Sequence, residues 1–308
     1  MSLLVIGTVA FDAIETPFGK TDKIVGGAAT YISLAASYFA KDINLVSVVG
    51  DDFPEATLET LRQHHIDLEG LQIKAGEKSF FWSGRYHNDM NTRDTLATEL
   101  NVLADFNPIV PEKAKSPEIV MLGNLTPSVQ LGALKQLEGT AKLVVLDTMN
   151  FWMDIALPEL KEVLQHVDVL TINDEEARQL SGEYSLVKAA RAILGMGPKY
   201  LVIKKGEHGA LLFNSNNQVF FAPALPLEEV FDPTGAGDSF AGGFTGYLAA
   251  SGDISFDNMK RAIIYGSAMA SFTVEKFGTE RLMGLSQEAV NARVQEFVDL
   301  VQFDISLS

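Results

Sequence analysis

Short apolar, β-branched runs alternate with longer stretches of helical period along most of this chain. Leu3–Ile6, Leu45–Val49, Ile119–Leu122, Leu143–Leu146, Val169–Ile172, Leu201–Ile203 and Ala210–Phe213 are short and almost wholly apolar, which predicts buried strands. Stretches at 28–40, 55–64, 128–137, 158–164, 174–180, 186–194, 239–250, 257–273 and 287–301 carry helical patterns. Continuous apolar strands interleaved with helices predict βαβ units and an α/β fold, a mostly parallel sheet covered on both faces. Two stretches break the alternation. Residues 11–25 and 71–101 read as short strands joined by turns, with Phe80, Trp82, Gly84 and Tyr86 recurring at every second position up to His87-Asn88-Asp89. Such insertions predict a small β-sheet lid. In an open parallel sheet the ligand crevice lies outside the carboxyl ends of the strands, so the lid is expected there. No repeat or linker interrupts the chain, and one domain over residues 1–308 is expected.

Composition narrows the partners. The 308 residues are 47% hydrophobic and 21% charged, enough for a large core, and the net charge is −16. That charge repels nucleic acids and anionic membranes, so neither is an expected partner. It also means that any nucleotide site must be locally positive. With no cysteine, disulfides, thiolate metal sites and cysteine nucleophiles are excluded. Residues 1–7 lack a basic leader segment and no apolar stretch reaches membrane-spanning length, so a cytoplasmic protein is expected.

The sharpest chemical signal is Asp232-Pro233-Thr234-Gly235-Ala236-Gly237-Asp238, followed at once by the apolar run Ser239–Ala250. Gly235, Ala236 and Gly237 have little side chain, so their N–H groups can converge at the positive end of the helix that follows, forming an anion hole. A carboxylate at Asp238 makes little sense as an anion ligand and good sense as a base beside an arriving phosphoryl group. The bland alternative is a tight turn with Asp238 as a helix cap. Gly26-Gly27 precedes the predicted helix from Ala28 and suits the close approach of a polyol, or is merely a turn. Asn173-Asp174-Glu175-Glu176 has the spacing of a capping box. Lys204-Lys205-Gly206-Glu207-His208-Gly209 is a local positive patch after a strand, or a hairpin loop with surface lysines. A P-loop is excluded because no Gly-x4-Gly-Lys-Ser/Thr occurs, and a dinucleotide fingerprint is excluded because residues 7–12 read Gly-Thr-Val-Ala-Phe-Asp.

The string from Asp232 through Phe240 resembles the second signature of the ribokinase-like (PfkB) carbohydrate kinase family, and the resemblance extends from Gly7 to about Thr279. It implies one doubly wound ribokinase-like domain with a β lid, and ATP- and Mg²⁺-dependent phosphorylation of a hydroxyl on a small sugar or sugar-like acceptor. Asp238 is then the base and Gly235–Gly237 the anion hole. Asp12, Gly26 and Gly27 hold the acceptor. Asn173 and Glu176 organise Mg²⁺ through its waters, while Lys204, Gly206 and Gly209 line the nucleotide together with Gly237. Asp232 and Thr234 lie beside a monovalent cation such as K⁺, with carbonyls near Lys276–Gly278. The family's sugar kinases often have an Asn near the position of Tyr31, a departure that argues against a simple ribose-type pocket. Arg85, His87, Asn91, Arg93 and Asp94 make the lid rich in polar groups, with Arg93 a candidate for binding substrate. Asn124 and Asn150 follow predicted strands and are candidate crevice residues. The lid aromatics Phe81, Trp82 and Tyr86 keep a nucleoside open as the acceptor. A non-catalytic sugar or nucleotide sensor remains the alternative outside catalysis, although it has no need of Asp238. Exposed Phe80, Phe81 and Trp82 predict that the lid also meets a second subunit in a homodimer.

Overall fold

The computed structural model describes residues 1–302. Fourteen strands form two sheets. In chain order they are β1 (Leu3–Ile6), β2 (Ala10–Thr16), β3 (Gly19–Lys20), β4 (Ile24–Gly26), β5 (Ile43–Gly50), β6 (Ile66–Lys74), β7 (Phe81–Tyr86), β8 (Arg93–Glu99), β9 (Ile119–Leu122), β10 (Leu143–Asp147), β11 (Val169–Asn173), β12 (Tyr200–Lys204), β13 (Ala210–Asn214) and β14 (Val219–Ala222). The large sheet runs β14-β13-β12-β11-β10-β9-β1-β5-β6. It is parallel from β12 to β6, and the β12-β13-β14 edge is antiparallel. The middle strands are apolar throughout because helices cover both faces, which yields two cores, one on each side of the sheet. The small sheet runs β3-β2-β7-β8, with β4 paired to β2.

The lid differs from expectation at one boundary. Leu71–Lys74 continue β6, which pairs in parallel with β5 at the edge of the large sheet, so the second lid segment is Phe81–Glu99. An edge strand is covered less than an inner one, and with Leu71 half-buried and Ile73 and Lys74 exposed this segment lacks the unbroken apolar run that marks the inner strands. Phe80, Phe81 and Trp82, expected to be exposed, are half-buried. Phe81 packs against the main core and the Trp82 indole lies over Gly84. Among the described residues no helix is long and apolar enough to cross a membrane.

Two helices set the site. The helix Ala236–Ser251 packs along Ala28–Ser37 on one side and Phe256–Thr273 on the other. Glycine permits this closeness. A Cβ at Gly242 would lie 2.3 Å from the Ile32 carbonyl oxygen, and one at Gly246 would lie 2.7 Å from Ala36 Cα. The packing carries the start of one helix, at Gly235, to the start of the other, at Gly27.

Candidate active site

Asp12 sits on β2 with 5% of its surface exposed and accepts a hydrogen bond from the Gly27 N–H. Room for its carboxylate exists only because residue 26 is glycine, since a Cβ there would meet Asp12 Oδ2 at 1.8 Å. Gly27 has φ 93°, a left-handed backbone that glycine adopts freely. The Thr8 hydroxyl then receives the Ala28 N–H at 2.9 Å and fixes the turn. Burial pushes the Asp12 carboxyl up to about 8, and the negative charges of Asp232 and Asp238 push the same way.

Those two acids lie on the loop that faces Asp12. Asp232 is fully buried, and its two oxygens accept the Thr234 N–H at 2.8 Å and the Gly278 N–H at 2.9 Å. Burial raises its pKa, and no cationic side chain opposes that shift. Gly235 adopts φ 76° and opens the helix Ala236–Ser251. One expectation fails here, because the Ala236 N–H is spent on the Pro233 carbonyl at 3.2 Å. The turn that creates the helix start consumes that donor. Among the described residues the N–H groups of Gly235, Gly237 and Asp238 meet no protein acceptor, as the first turn of a helix requires, and these are the donors free to make an anion hole. Tyr31 lies beneath it. A Cβ at Gly235 would be 2.5 Å from the Tyr31 ring, and the buried Tyr31 hydroxyl has no hydrogen-bond partner. Its pKa is raised by burial and by the charges of Asp12, Asp232 and Asp238.

Asp238 is pushed up to about 7. Burial is the largest cause; Asp147 and Glu176 add to it, while Lys204 and Arg93 oppose it. A carboxyl that titrates near neutrality, beside free N–H donors, is suited to general base catalysis. Asp147 is a residue that the sequence reading missed. It ends β10, is buried, accepts the Thr171 hydroxyl at 2.8 Å and holds the Lys204 ammonium. The available signal was an acid terminating an apolar strand at the crevice end of the sheet. Lys204, expected in an open positive patch, is largely enclosed instead. Its ammonium lies 3.0 Å from where a Cβ would project at Gly237, so it borders the anion hole. Although burial works against its charge, Asp147 and Glu176 outweigh that and raise its pKa.

Asn173 and Glu176 form the capping box in full. The Asn173 side chain accepts the Glu176 N–H at 2.8 Å, and Glu176 Oε2 accepts the Asn173 N–H at 2.7 Å. Burial raises Glu176 to about 7, against the pull of Lys204. Its other carboxylate oxygen has no protein donor among the described residues, so capping and a role toward a hydrated cation are compatible. Gly206 (φ 54°) and Gly209 (φ 80°) shape the loop after β12. A Cβ on Gly209 would strike the Ala222 carbonyl oxygen at 2.0 Å, and one on Gly206 would meet Asn91 Oδ1 at 2.5 Å.

Asn124 follows β9, and Gly123 beside it packs on Ala28 and Ile32, which puts Asn124 next to the Gly26-Gly27 turn. Its oxygen accepts the Trp152 indole N–H at 2.7 Å, while its amide N–H meets only the Met149 sulfur at 3.1 Å. Asn150 departs from expectation. It opens the helix Asn150–Ile155 and gives its amide to Gln179 at 3.0 Å, in a surface network with Asp154. As the first residue of that helix it turns toward Gln179 of the helix Asp174–Ser181. The lid aromatics do not form an open stacking face either, since Tyr86 is buried with its hydroxyl 3.2 Å from the Thr234 hydroxyl. An open groove of about 810 Å³ lies at the far end of the sheet, where Lys113 is already paired with Asp67 and Glu69. It has no part in this site.

Acids and helix starts therefore meet along one line across the carboxyl ends of the central strands. The family model of the pfkB family carbohydrate kinases matches residues 2–283. The chain belongs to that family. It is 33% identical over 250 residues to a cytidine kinase of Thermococcus kodakarensis, which covers 79% of this chain and 87% of that protein. The crystal structure of a nucleoside kinase of Methanocaldococcus jannaschii, an archaeal member of the ribokinase family, superposes with a TM-score of 0.76 at 22% identity, over 96% of this chain and 99% of that one. An Arabidopsis thaliana ribokinase complexed with ribose and ATP superposes with a TM-score of 0.75 at 18% identity, over 96% and 98%. The expected ribokinase-like fold is present, and the protein is a sugar or nucleoside kinase.

Proposed function

We propose that this kinase transfers the γ-phosphoryl group of ATP to a ribose hydroxyl of a nucleoside, with Asp238 as the base. Identity alone does not separate a nucleoside from a free sugar, since the chain is 33% identical to a protein named for its action on cytidine and 34% identical over 289 residues to one named ribokinase, so the choice of a nucleoside is carried by a side chain. The geometry supports it at Asn124. Trp152 fixes the amide so that its oxygen is occupied, and its N–H faces only a thioether, a weak acceptor. A base carbonyl next to the acceptor cradle is a better partner.

Asp12 and the bare backbone of Gly26-Gly27 hold ribose hydroxyls. Asp238 takes the proton as the acceptor oxygen attacks phosphorus. The free N–H groups of Gly235, Gly237 and Asp238, with Lys204 beside them, stabilise charge on the transferring group. Preorganised donors of this kind contribute about 3–4 kcal/mol each when removal is measured. Glu176 is suited to hold Mg²⁺ through water, and that ion supplies charge neutralisation between the phosphates. Asp232 is a buried carboxylate with no cationic partner, which suits a monovalent cation such as K⁺ beside the loop that it braces.

The test is ADP release over a panel of nucleosides, ribose and sugar phosphates. Turnover with cytidine or another nucleoside is expected. Preference for a free sugar or sugar phosphate overturns the acceptor assignment, and ATP hydrolysis with no acceptor in the panel overturns the kinase reading in favour of a sensor.

A further inference from the structure

The lid hairpin β7–β8 touches both ends of the site. Tyr86, at the end of β7, reaches the anion-hole loop through its hydroxyl, 3.2 Å from Thr234 Oγ1. Asn91, in the turn, presses on the nucleotide loop, with its Oδ1 2.5 Å from the position of a Cβ on Gly206. Between these two anchors stands Arg93. It pairs directly across the hairpin with Tyr86, and residues directly opposite on antiparallel strands project from the same face. Arg93 therefore projects on the face that Tyr86 turns toward residues 232–238. Arg85 and Asp94, one position along, project on the opposite face.

The charges on the lid divide in the same way. Arg85 binds Glu15 at 2.8 Å, Lys20 lies 3.9 Å from Glu15, Lys23 binds Asp52 at 2.9 Å, and His87 binds Asp94 at 3.0 Å. Arg93 is the one basic side chain of the lid, among the described residues, with neither an ion pair nor a hydrogen bond. Its guanidinium is free, and the protein provides no acid for it. Its positive charge nevertheless reaches the site, since it favours the ionised forms of Asp238 and Glu176.

We propose, on the kinase reading above, that Arg93 is a catalytic residue whose guanidinium binds the transferring phosphoryl group, delivered by the hairpin that bridges the anion-hole and nucleotide loops. In the step it serves, the acceptor oxygen forms a bond to the γ-phosphorus, the bond from that phosphorus to the bridging oxygen breaks, ADP leaves with the electron pair, and the hydroxyl proton passes to Asp238. Charge spreads over the three equatorial oxygens during transfer. A planar guanidinium matches two of them at once, whereas the backbone N–H groups and Lys204 approach from the floor of the site. Because the hairpin rests on Gly206 and Thr234 together, the arginine is in place when both loops are.

The test uses the full-length protein with whichever acceptor of the panel the wild type turns over, so a wrong acceptor class leaves the comparison readable. Arg93→Ala is expected to lower kcat by about 10²-fold or more with a much smaller change in KM for either substrate. Arg93→Lys is expected to recover part of the loss, and millimolar guanidinium added to Arg93→Ala to recover some of it. The acidic limb of the kcat/KM profile should also move to higher pH, since Asp238 loses one of the two cations that face it and keeps Asp147, Glu176 and Lys204. If Arg93→Ala fails to fold, Arg93→Gln carries the same comparison. A kcat within about threefold of wild type with an unmoved acidic limb overturns the assignment. A lower kcat that neither lysine nor guanidinium restores, with an unmoved limb, marks Arg93 as structural and overturns it equally.

Discussion

Replacing Gly26 with alanine isolates the acceptor cradle from the rest of the site. The added methyl carbon would lie 1.8 Å from Asp12 Oδ2 and 2.5 Å from its Cγ. Ordinary contacts between carbon atoms need roughly 3.5 Å, so the carboxylate has to swing aside by more than an ångström. Gly26 does not have a positive φ, so alanine brings no backbone strain of its own and the effect passes through Asp12. Overpacking of this kind costs about 1–3 kcal/mol. Loss of the Gly27 N–H bond to a carboxyl adds about 1–3 kcal/mol. Together these correspond to a fall of roughly 30- to 10⁴-fold in kcat/KM for the acceptor. Affinity for a non-hydrolysable ATP analogue should stay unchanged, because Lys204 and the Gly206 loop lie at the other end of the crevice. Steady-state kinetics with varied acceptor measure the first quantity and calorimetry the second. In an Asp12→Ala background the same Gly26→Ala change should cost little more, since the clash has no carboxylate left to displace. Wild-type kcat/KM for the acceptor in Gly26→Ala would refute the reasoning, as would an equal loss in both backgrounds.

Four further outcomes follow from the charges. Asp238 must be ionised to accept a proton, so kcat/KM should fall with unit slope as the pH drops below about 7, and a profile flat down to pH 5 contradicts this. Asp147→Asn should lower thermal stability by about 3–5 kcal/mol by leaving Lys204 enclosed without its partner. The same substitution should move the acidic limb to lower pH, because Asp147 raises Asp238. Activity should rise when K⁺ replaces a large organic cation in the buffer, and Asp232→Asn should abolish that response; equal rates in both buffers would remove the cation from the account.

Much of the site was legible in the chain because it resides in backbone. Gly26-Gly27 and Asp232–Asp238 are each contiguous, and the function proposed for them lies in N–H groups and helix starts that a local sequence can specify. The strands were legible because complete burial leaves an unbroken apolar run. What escaped depends on partners distant in sequence. Asp147 acquires meaning only from Lys204, which lies on a strand two places away in the sheet. Ala236 looked equivalent to its neighbours until the turn spent its N–H on Pro233. Arg85 and Arg93 are alike in composition, and only the hairpin register separates them, with one opposite Asp94 and bound to Glu15 and the other opposite Tyr86. Leu71–Lys74 misled because this exposed end of an edge strand lacks the unbroken apolar run that marks the inner strands.

The central claim is that Asp238 removes the acceptor proton, and the turnover of Asp238→Asn tests it most directly. Asparagine keeps the size of the side chain and loses the base. With saturating ATP and acceptor, kcat should fall by about 10²- to 10⁴-fold while the affinity for the ATP analogue holds within a few-fold. A kcat near that of wild type would contradict the account.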